Sequence, residues 1–130
     1  VDTITEDNAV LLMWVCDPML DQALEVINAW GFKYKTVGFT WAKTNRKKLG
    51  FFTGLGYWTR GNPEMCLLAT KGRPKRKAMD VAQLVVAQRG RHSEKPLLHK
   101  DIERLVEGTY IELFAIKKPF DNWDYWGNEV

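Results

Sequence analysis

The stretch AVLLMWVCDPMLDQALEVINAWGFKYKTVGFTW, which runs from Ala9 to Trp41, decides the fold. Its first part, Ala9 to Cys16, is a continuous apolar run, which is typical of a strand covered on both faces. Apolar residues then recur at helical spacing from Leu20 to Trp30, and Gly31 supplies the expected C-terminal stop. Tyr34 to Trp41 follows as a second strand. The order strand, helix, strand predicts a βαβ unit, and hence a parallel pair with a right-handed crossover.

Two local details of this unit are also predicted. Asp17-Pro18 reads as a helix start, with the Asp17 side chain as N-cap and Pro at the first helical position. The alternative is an amine-binding Asp-Pro segment of the kind methyltransferases place after a strand, but Met19 and Leu20 replace its second Pro and its aromatic residue. In the second strand, alternation places Val37, Phe39 and Trp41 on one face.

The remaining elements predict the fold class. Three further strands are expected over Met65–Thr70, Gln83–Gln88 and Tyr110–Ile116, and a helix from Pro96 to a stop at Gly108. We therefore expect one α/β domain spanning residues 1–130, with an open, mostly parallel sheet flanked by helices. Ligands of such sheets bind beyond the carboxyl ends of the strands, and Arg89–Lys95 follows one of those ends.

The charge pattern permits a polyanionic partner. The net charge is +3 and the pI is about 8.9. Cationic residues form three groups in predicted loops, which favours a phosphate-facing surface over the alternative of solvated turns. The groups are Lys43, Arg46, Lys47 and Lys48; Lys71, Arg73, Lys75, Arg76 and Lys77; and Arg89 and Arg91.

Cysteine usage, His spacing and the length of the apolar runs restrict the expected location of the protein and argue against a metal site or a membrane span. Cys16 and Cys66 both lie in apolar runs, so we expect both to be buried and unpaired in a reducing, cytoplasmic location. No Cys or His spacing predicts a metal site. No apolar run approaches the roughly 20 residues of a membrane span, and the acidic N-terminal segment does not read as a signal peptide.

The long loop from Lys43 to Arg60 predicts a nucleic-acid contact. It places Phe51, Phe52, Tyr57 and Trp58 between glycines and charges, and we expect at least two of these rings to be exposed. Flat rings can stack on bases, and cations can meet phosphates. Trp14, Trp30 and Trp41 fall within apolar patterns and are predicted to be core residues.

Eight segments, in order, resemble the MT-A-type adenine-N6 methyltransferases, the family of the eukaryotic messenger-RNA adenine methyltransferase with bacterial and phage DNA-modifying members. The sequence Phe-Thr-Gly-Leu-Gly-Tyr-Trp-Thr-Arg is more similar to the bacterial and phage branch of this family. The segments are Leu12-Met13-Trp14-Val15, Trp30-Gly31-Phe32, Trp41-Ala42-Lys43-Thr44-Asn45, Gly54-Leu55-Gly56-Tyr57-Trp58, His92-Ser93-Glu94-Lys95-Pro96, Ile102-Glu103-Arg104-Leu105, Glu112-Leu113-Phe114 and Trp126-Gly127-Asn128-Glu129.

The resemblance implies a Rossmann-like methyltransferase that uses S-adenosylmethionine and no metal. By position, Lys95, Asn128 and Glu129 match residues that bind the cofactor. Lys43, Glu64 and Ser93 match polar positions of the substrate pocket. The loop Asn45–Arg60, with Tyr57, Trp58 and Arg60, matches a substrate-contacting loop that also faces a partner, so a homo- or heterodimer could form through it. DNA is a more probable substrate than RNA on this resemblance.

Two departures leave alternatives open. The family's Asp-Pro-Pro-Trp segment belongs upstream of Thr5, so we expect this chain to be the C-terminal portion, with the catalytic group upstream of Val1. Ile116 stands where the family usually has Arg. The cofactor contact of that Arg is therefore missing unless Lys117 or Lys118 reaches the site. The chain could therefore be part of a DNA adenine methyltransferase, a catalytically degenerate nucleic-acid-binding subunit of one, or an RNA adenine methyltransferase.

Overall fold

The computed structural model describes residues 6–90, 95–113 and 122–126. Most predicted elements are present there, and their bounds differ by a few residues from those expected. The predicted strand from Tyr110 is described as far as Leu113, and a strand in the C-terminal tail was not predicted. The elements are β1 Ala9–Val15, a 3-10 turn Asp17–Met19, α1 Leu20–Ala29, β2 Lys33–Thr44, β3 Glu64–Lys71, β4 Leu84–Gln88, α2 His99–Leu105, β5 Tyr110–Leu113 and β6 Trp123–Trp126.

The main sheet is mixed, with strand order β1-β3-β2-β4. Strand β3 pairs antiparallel with both β1 and β2, whereas β2 and β4 pair in parallel. The predicted parallel neighbours β1 and β2 do run in the same direction, but they are not hydrogen-bonded to each other. The crossover through α1 leaves room for one strand between them, and β3 fills it from the opposite direction. The expectation of a mostly parallel sheet was therefore wrong for the described residues.

Each face of this sheet buries a separate cluster of apolar side chains. On one face, Ile27 of α1 is fully buried against Leu67, Ala69 and Val15. On the other face, Phe39 and Cys66 pack with Leu98, which precedes α2. Burying one side chain such as Ile27 stabilises the fold by roughly 1.5–3 kcal/mol. The result is an α/β arrangement in which helices cover opposite faces of one sheet.

Two irregularities in β2 change which side chains share a face. The register with β3 shifts between Tyr34 and Thr36 and again between Val37 and Phe39. Each shift inserts one extra residue, which reverses the alternation beyond it. Val37 therefore packs on the α1 face, while Phe39 lies in the opposite cluster. The prediction that these two residues share a face was wrong for this reason.

The helix ends follow the sequence signals only in part. Gly31 has φ of +85°, a conformation that glycine adopts readily, and it ends α1 as predicted. The Asp17 side chain makes no capping hydrogen bond, because Asp17–Met19 forms a 3-10 turn and α1 starts one residue later. The prediction of an Asp17 N-cap was therefore wrong. Helix α2 ends at Leu105, before the predicted stop at Gly108.

A second, two-stranded sheet pairs β5 with β6 in parallel. Trp123 of β6 stacks on Tyr110 of β5, with ring centroids 4.9 Å apart, and meets the edge of His99 at 4.6 Å. Its indole Nε1 donates to Glu103 Oε2 at 2.9 Å, and this hydrogen bond holds the pKa of the Glu103 carboxyl below its ordinary value. Glu112 of β5 lies 2.5 Å from His99 Nε2. These contacts fix the small sheet against α2.

Within residues 6–90, 95–113 and 122–126, neither helix has the length and apolar character needed to cross a membrane.

Candidate functional site

One edge of the main sheet carries Lys43 and Glu64, two of the polar side chains that were predicted to bind ligands. Strands β1, β2 and β4 end at this edge and the antiparallel β3 begins there, since Thr44 lies opposite Gln88 and Val15 opposite Met65. Lys43 stands near the end of β2, and Glu64 is the first residue of β3. We call this the carboxyl edge. It is where ligands of α/β sheets are expected.

Lys43, Glu64 and Lys95 form an ion cluster at the carboxyl edge. Lys43 Nζ lies 2.8 Å from Glu64 Oε2, and Lys95 Nζ donates a short hydrogen bond to Glu64 Oε1. Burial pushes the pKa of the Glu64 carboxyl upward, but the two ammonium groups outweigh burial and hold that pKa below 4.5. The carboxylate is therefore charged at neutral pH, and the cluster carries one net positive charge. We call it the Lys-Glu-Lys cluster.

Two indole rings line this cluster. Lys43 Nζ lies 5.2 Å from the ring centroid of Trp41, and Lys95 Nζ lies 5.6 Å from that of Trp14. The two rings meet edge to face, with centroids 6.1 Å apart. A cation over an aromatic face gains about 0.5–2 kcal/mol. Each indole thus lies beside one ammonium group and gives the cluster an apolar lining.

The cross-strand register explains why four of these residues meet, namely Trp14, Trp41, Lys43 and Glu64. Trp14 lies opposite Cys66 on β3, and Trp41 lies opposite Glu64. Side chains two residues apart on a strand share a face. Lys43 therefore lies on the same face as Trp41, and Cys66 lies on the same face as Glu64. All lie on the face that α2 covers.

Cys66 lies beneath the cluster and is not a nucleophile. Its side chain is buried, and burial raises the pKa of the thiol to about 12, although the charge of Lys95 opposes that rise. A thiol with so high a pKa stays protonated and unreactive at neutral pH. Cys16, in contrast, is exposed, so the expectation that both cysteines are buried was wrong.

Asn62 fixes the long loop to the carboxyl edge. Its Oδ1 accepts from the Lys43 backbone N–H at 3.0 Å, and its Nδ2 donates to the Lys43 carbonyl at 2.9 Å. The same Nδ2 also donates to the Phe52 carbonyl. Arg89, which follows β4, stacks its guanidinium 4.2 Å from the Phe52 ring centroid. The Asn62 amide therefore ties the end of the loop to Phe52 in its middle and to Lys43, which carries one of the cluster cations.

The tip of this loop exposes large side chains. Tyr57 is 81% exposed and Trp58 is 94% exposed, and Phe51 is also exposed, which confirms the expectation for these rings. Trp58 has φ of +78°, which a residue with a side chain adopts at a cost of about 1–3 kcal/mol. Gly56 is required here, because a Cβ atom at this position would lie 1.8 Å from the Thr59 carbonyl oxygen.

The structure brings together three of the predicted site residues, namely Lys43, Glu64 and Lys95. Tyr57, Trp58 and Arg60 all lie exposed on the adjacent loop. Ser93, Asn128 and Glu129 lie outside the described residues, as do Ile116, Lys117 and Lys118.

Three residues of the site were not identified from the sequence. Trp41 was correctly predicted to be buried, and Trp14 is half-buried, but their contact with the lysines depends on the strand register. Asn62 was not predicted as a site residue. An Asn before Pro at the end of a long loop is a signal for backbone clamping, since Asn side chains readily bond to nearby backbone.

The three basic groups do not form one surface. The first and third groups include Lys43 and Arg89, which lie at the carboxyl edge, where the Arg89 N–H donates to the Thr44 carbonyl. The second group begins at Lys71, which ends the antiparallel β3 opposite Ala9. It therefore starts at the other edge of the sheet, and the prediction of a single phosphate-facing surface was wrong.

No group of three or more His, Cys, Asp or Glu side chains is close enough to hold a metal ion within the parts of the chain that the structure describes.

The charged, indole-lined cluster lies at the carboxyl ends of the strands, which is where α/β domains bind their ligands. The chain belongs to the MT-A70 family, whose sequence profile matches residues 1–129.

Relatives with known names are similar over nearly the whole chain. It is 37% identical over 134 aligned positions to the type II methyltransferase M.MunI of a Mycoplasma species. It is 26% identical to an MT-A70-like N(6)-adenosine-methyltransferase of Arabidopsis thaliana and 27% identical to a probable one of Oryza sativa subsp. japonica, each over 129 positions. These matches cover 100% of the chain for the first and 96% for the two plant proteins. The chain spans 54% of the length of M.MunI and 19% and 18% of the plant proteins.

Proposed function

We propose that this chain is part of an S-adenosylmethionine-dependent methyltransferase that acts on the N6 amine of adenine in DNA. The observation that carries the proposal is the Lys-Glu-Lys cluster with its two indoles at the carboxyl edge. Membership of the MT-A70 family and the similarity to a bacterial type II methyltransferase support it. The proposal includes a Rossmann-like layout and treats residues 1–130 as part of one domain.

The donor set of the cluster fits a zwitterionic cofactor. Lys95 is 30% exposed while Glu64 is 13% exposed, so the Lys95 ammonium can also meet a carboxylate from solvent. The half-buried ring of Trp14 offers an apolar surface beside it. When bound, S-adenosylmethionine supplies an electrophilic methyl group. We propose that Lys95, together with Asn128 and Glu129, holds this cofactor.

Glu64 and Lys43 suit a target base. Each carboxylate oxygen of Glu64 accepts from one lysine, and a carboxylate oxygen has a second lone pair for a further donor. An adenine edge carries an amine donor and ring acceptors, so Glu64 and Lys43 can bond to complementary atoms of it. We propose that these two residues, with Ser93, orient the base, while the indole of Trp41 keeps the Lys43 ammonium in place.

The exposed loop is proposed to contact the nucleic acid around the target base. Trp58 and Tyr57 can each stack on a base, which contributes about 1–3 kcal/mol per base. Arg60 supplies a cation beside them. The same loop could instead face a second subunit, so dimerisation through Asn45–Arg60 stays a prediction, as does a cytoplasmic location.

The loop assignment predicts the effect of replacing Trp58. A Trp58→Ala variant should weaken DNA binding by roughly tenfold or more and leave the unfolding temperature unchanged, because its ring is solvent-exposed and stacking is lost only in the complex. The measurement is fluorescence anisotropy with labelled DNA. Leu55→Ala is the matched control, since Leu55 is 99% exposed on the same loop but cannot stack. Equal effects of the two substitutions would contradict the assignment.

The decisive test of the proposed function is a product assay. The full-length protein is incubated with S-adenosylmethionine and either duplex DNA or RNA of the same sequence, and nucleosides are analysed by mass spectrometry. N6-methyladenine in the DNA is the expected product. Methyladenine only in RNA would overturn the DNA assignment. DNA binding without cofactor binding or product would identify a degenerate binding subunit instead.

A further inference from the structure

A second cationic surface lies at the edge of the sheet opposite the ion cluster. Lys33 opens β2 opposite Thr70, and Lys71 ends β3 opposite Ala9, so both stand at this edge. We call it the amino-edge basic surface. Its members are Lys33, Lys35, Lys71 and Arg73.

This surface is separate from the proposed methylation site. Lys33 and Lys43 lie near opposite ends of the same strand. A strand advances about 3.3 Å per residue, which places their Cα atoms roughly 33 Å apart along β2. No single small ligand can touch both.

The fold presents the cations of this surface to solvent. Lys33, Lys35 and Arg73 are all exposed. Lys35 is the extra residue at the first register shift of β2, and such a bulge turns a side chain away from the regular pleat. The Lys71 ammonium lies 6.0 Å from the ring centroid of Phe32, which holds it beside Lys33.

Few carboxylates oppose these cations. Glu6 and Asp7 are exposed near the start of β1, and the turn after β3 packs against them, since Arg73 N–H donates to Asn8 Oδ1 at 2.9 Å. Even so, among the residues that the structure describes, no carboxylate oxygen lies within 4.0 Å of Lys33, Lys35 or Arg73. Three exposed cations, none of them within 4.0 Å of a carboxylate oxygen among the described residues, leave a positive surface at this edge.

The chemistry of this edge fits a phosphate backbone better than a protein. Protein interfaces usually have an apolar, aromatic-rich centre with few lysines. Here Tyr34, at 41% exposed, is the large apolar residue among the lysines of β2. A surface with several exposed cationic side chains and little apolar area is instead typical of proteins that contact the nucleic-acid backbone independently of base sequence.

We propose that the amino-edge basic surface binds the phosphate backbone of nucleic acid, without reading base sequence, at a distance from the methylated base. The nature of the polyanion rests on the proposed function. The surface adds affinity for any duplex and holds the protein on the nucleic acid between encounters with its target site.

The test is the salt dependence of duplex binding by the full-length protein. Log affinity falls with log salt concentration by about 0.9 for each phosphate contact. Lys33→Gln and Lys35→Gln should each reduce the slope by about 0.9, and the double variant by about 2. Affinity for duplexes with and without a target site should fall equally. Thermal unfolding and S-adenosylmethionine affinity should match the unaltered protein.

Gln22→Glu on α1 is the matched control, because Gln22 is exposed and the substitution changes net charge by the same amount away from this edge. Slopes for the lysine variants equal to that of Gln22→Glu, or to that of the unaltered protein, would overturn the proposal, and a protein partner for this edge would give that result. The outcome is independent of the product assay: a reduced slope without methyladenine rejects only the proposed function, and methyladenine with an unchanged slope rejects only this surface.

Discussion

At the scale of single residues, Glu64 is the group on which the site depends most. Its carboxylate separates two ammonium groups that would otherwise face each other in a partly buried setting. Pairs of this kind add little net stability compared with apolar packing, but removal of one partner leaves uncompensated charge. The cluster therefore constrains which substitutions the site can tolerate.

A Glu64→Gln variant should lose about 2 kcal/mol of unfolding free energy at pH 7, since Lys43 and Lys95 then lack their counter-charge. Chemical denaturation of both proteins provides the measurement. Asp80→Asn is the control: it removes the exposed Arg104–Asp80 pair, whose atoms lie 2.5 Å apart, and should cost about 0.5 kcal/mol or less.

The same pair of proteins predicts a pH dependence. The folded-state pKa of Glu64 is lowered from 4.5, so its contribution to stability is fully present above about pH 4.5 and is lost as the pH falls through the folded-state pKa. The stability difference between the unaltered protein and Glu64→Gln should therefore be constant near neutral pH and shrink below 4.5. A stability difference that stays constant down to strongly acid pH would show that the two lysines do not lower the pKa of the Glu64 carboxyl.

At the scale of elements, the loop between β2 and β3 depends on a single anchoring side chain. Asn62 makes two hydrogen bonds to the Lys43 backbone and one to the Phe52 carbonyl, which tie the loop to the end of β2. Without them the loop would keep its turn residues but lose its fixed position over the carboxyl edge.

An Asn62→Ala variant should lose about 1–3 kcal/mol of stability and become more sensitive to trypsin at Lys47, Lys48 and Arg60. Limited proteolysis followed by mass spectrometry measures the second effect. Asn45→Ala is the control, because the Asn45 amide makes two exposed and longer bonds, at 3.3 and 3.5 Å, within the same loop. If both variants were cleaved at the same rate, Asn62 would not be the anchor.

The types of element were predictable from the sequence, but their pairing was only partly so. Apolar runs and helical spacing gave β1, α1, β2, β3 and β4 because each pattern is local. The insertion of β3 between β1 and β2 depends on long-range pairing that no local pattern encodes. The bulges in β2 were not predictable from a local pattern either. The residue inserted between Val37 and Phe39 places these two side chains on opposite faces of the sheet.

At the scale of the whole molecule, the site is assembled from segments distant in sequence. Lys43, Glu64 and Lys95 could be identified as candidates by resemblance to a family, and the sheet topology brings them together at one edge. The indoles of Trp14 and Trp41 were not predicted as site walls, because their place beside the lysines follows from the antiparallel register of β3. The basic groups separate onto two edges for the same reason.

The proposed function requires the Lys-Glu-Lys cluster to belong to a methyl-transfer site, and the Lys95→Met variant of the full-length protein tests this requirement. S-adenosylmethionine affinity by calorimetry and N6-methyladenine yield are measured together, with Lys100→Met, on the exposed side of α2, as the control. Lys95→Met should lose about tenfold or more in cofactor affinity, as expected for a lost charge-assisted hydrogen bond, and should lose product formation, while Lys100→Met retains both. Cofactor affinity and methylation by Lys95→Met equal to those of the unaltered protein would contradict this requirement.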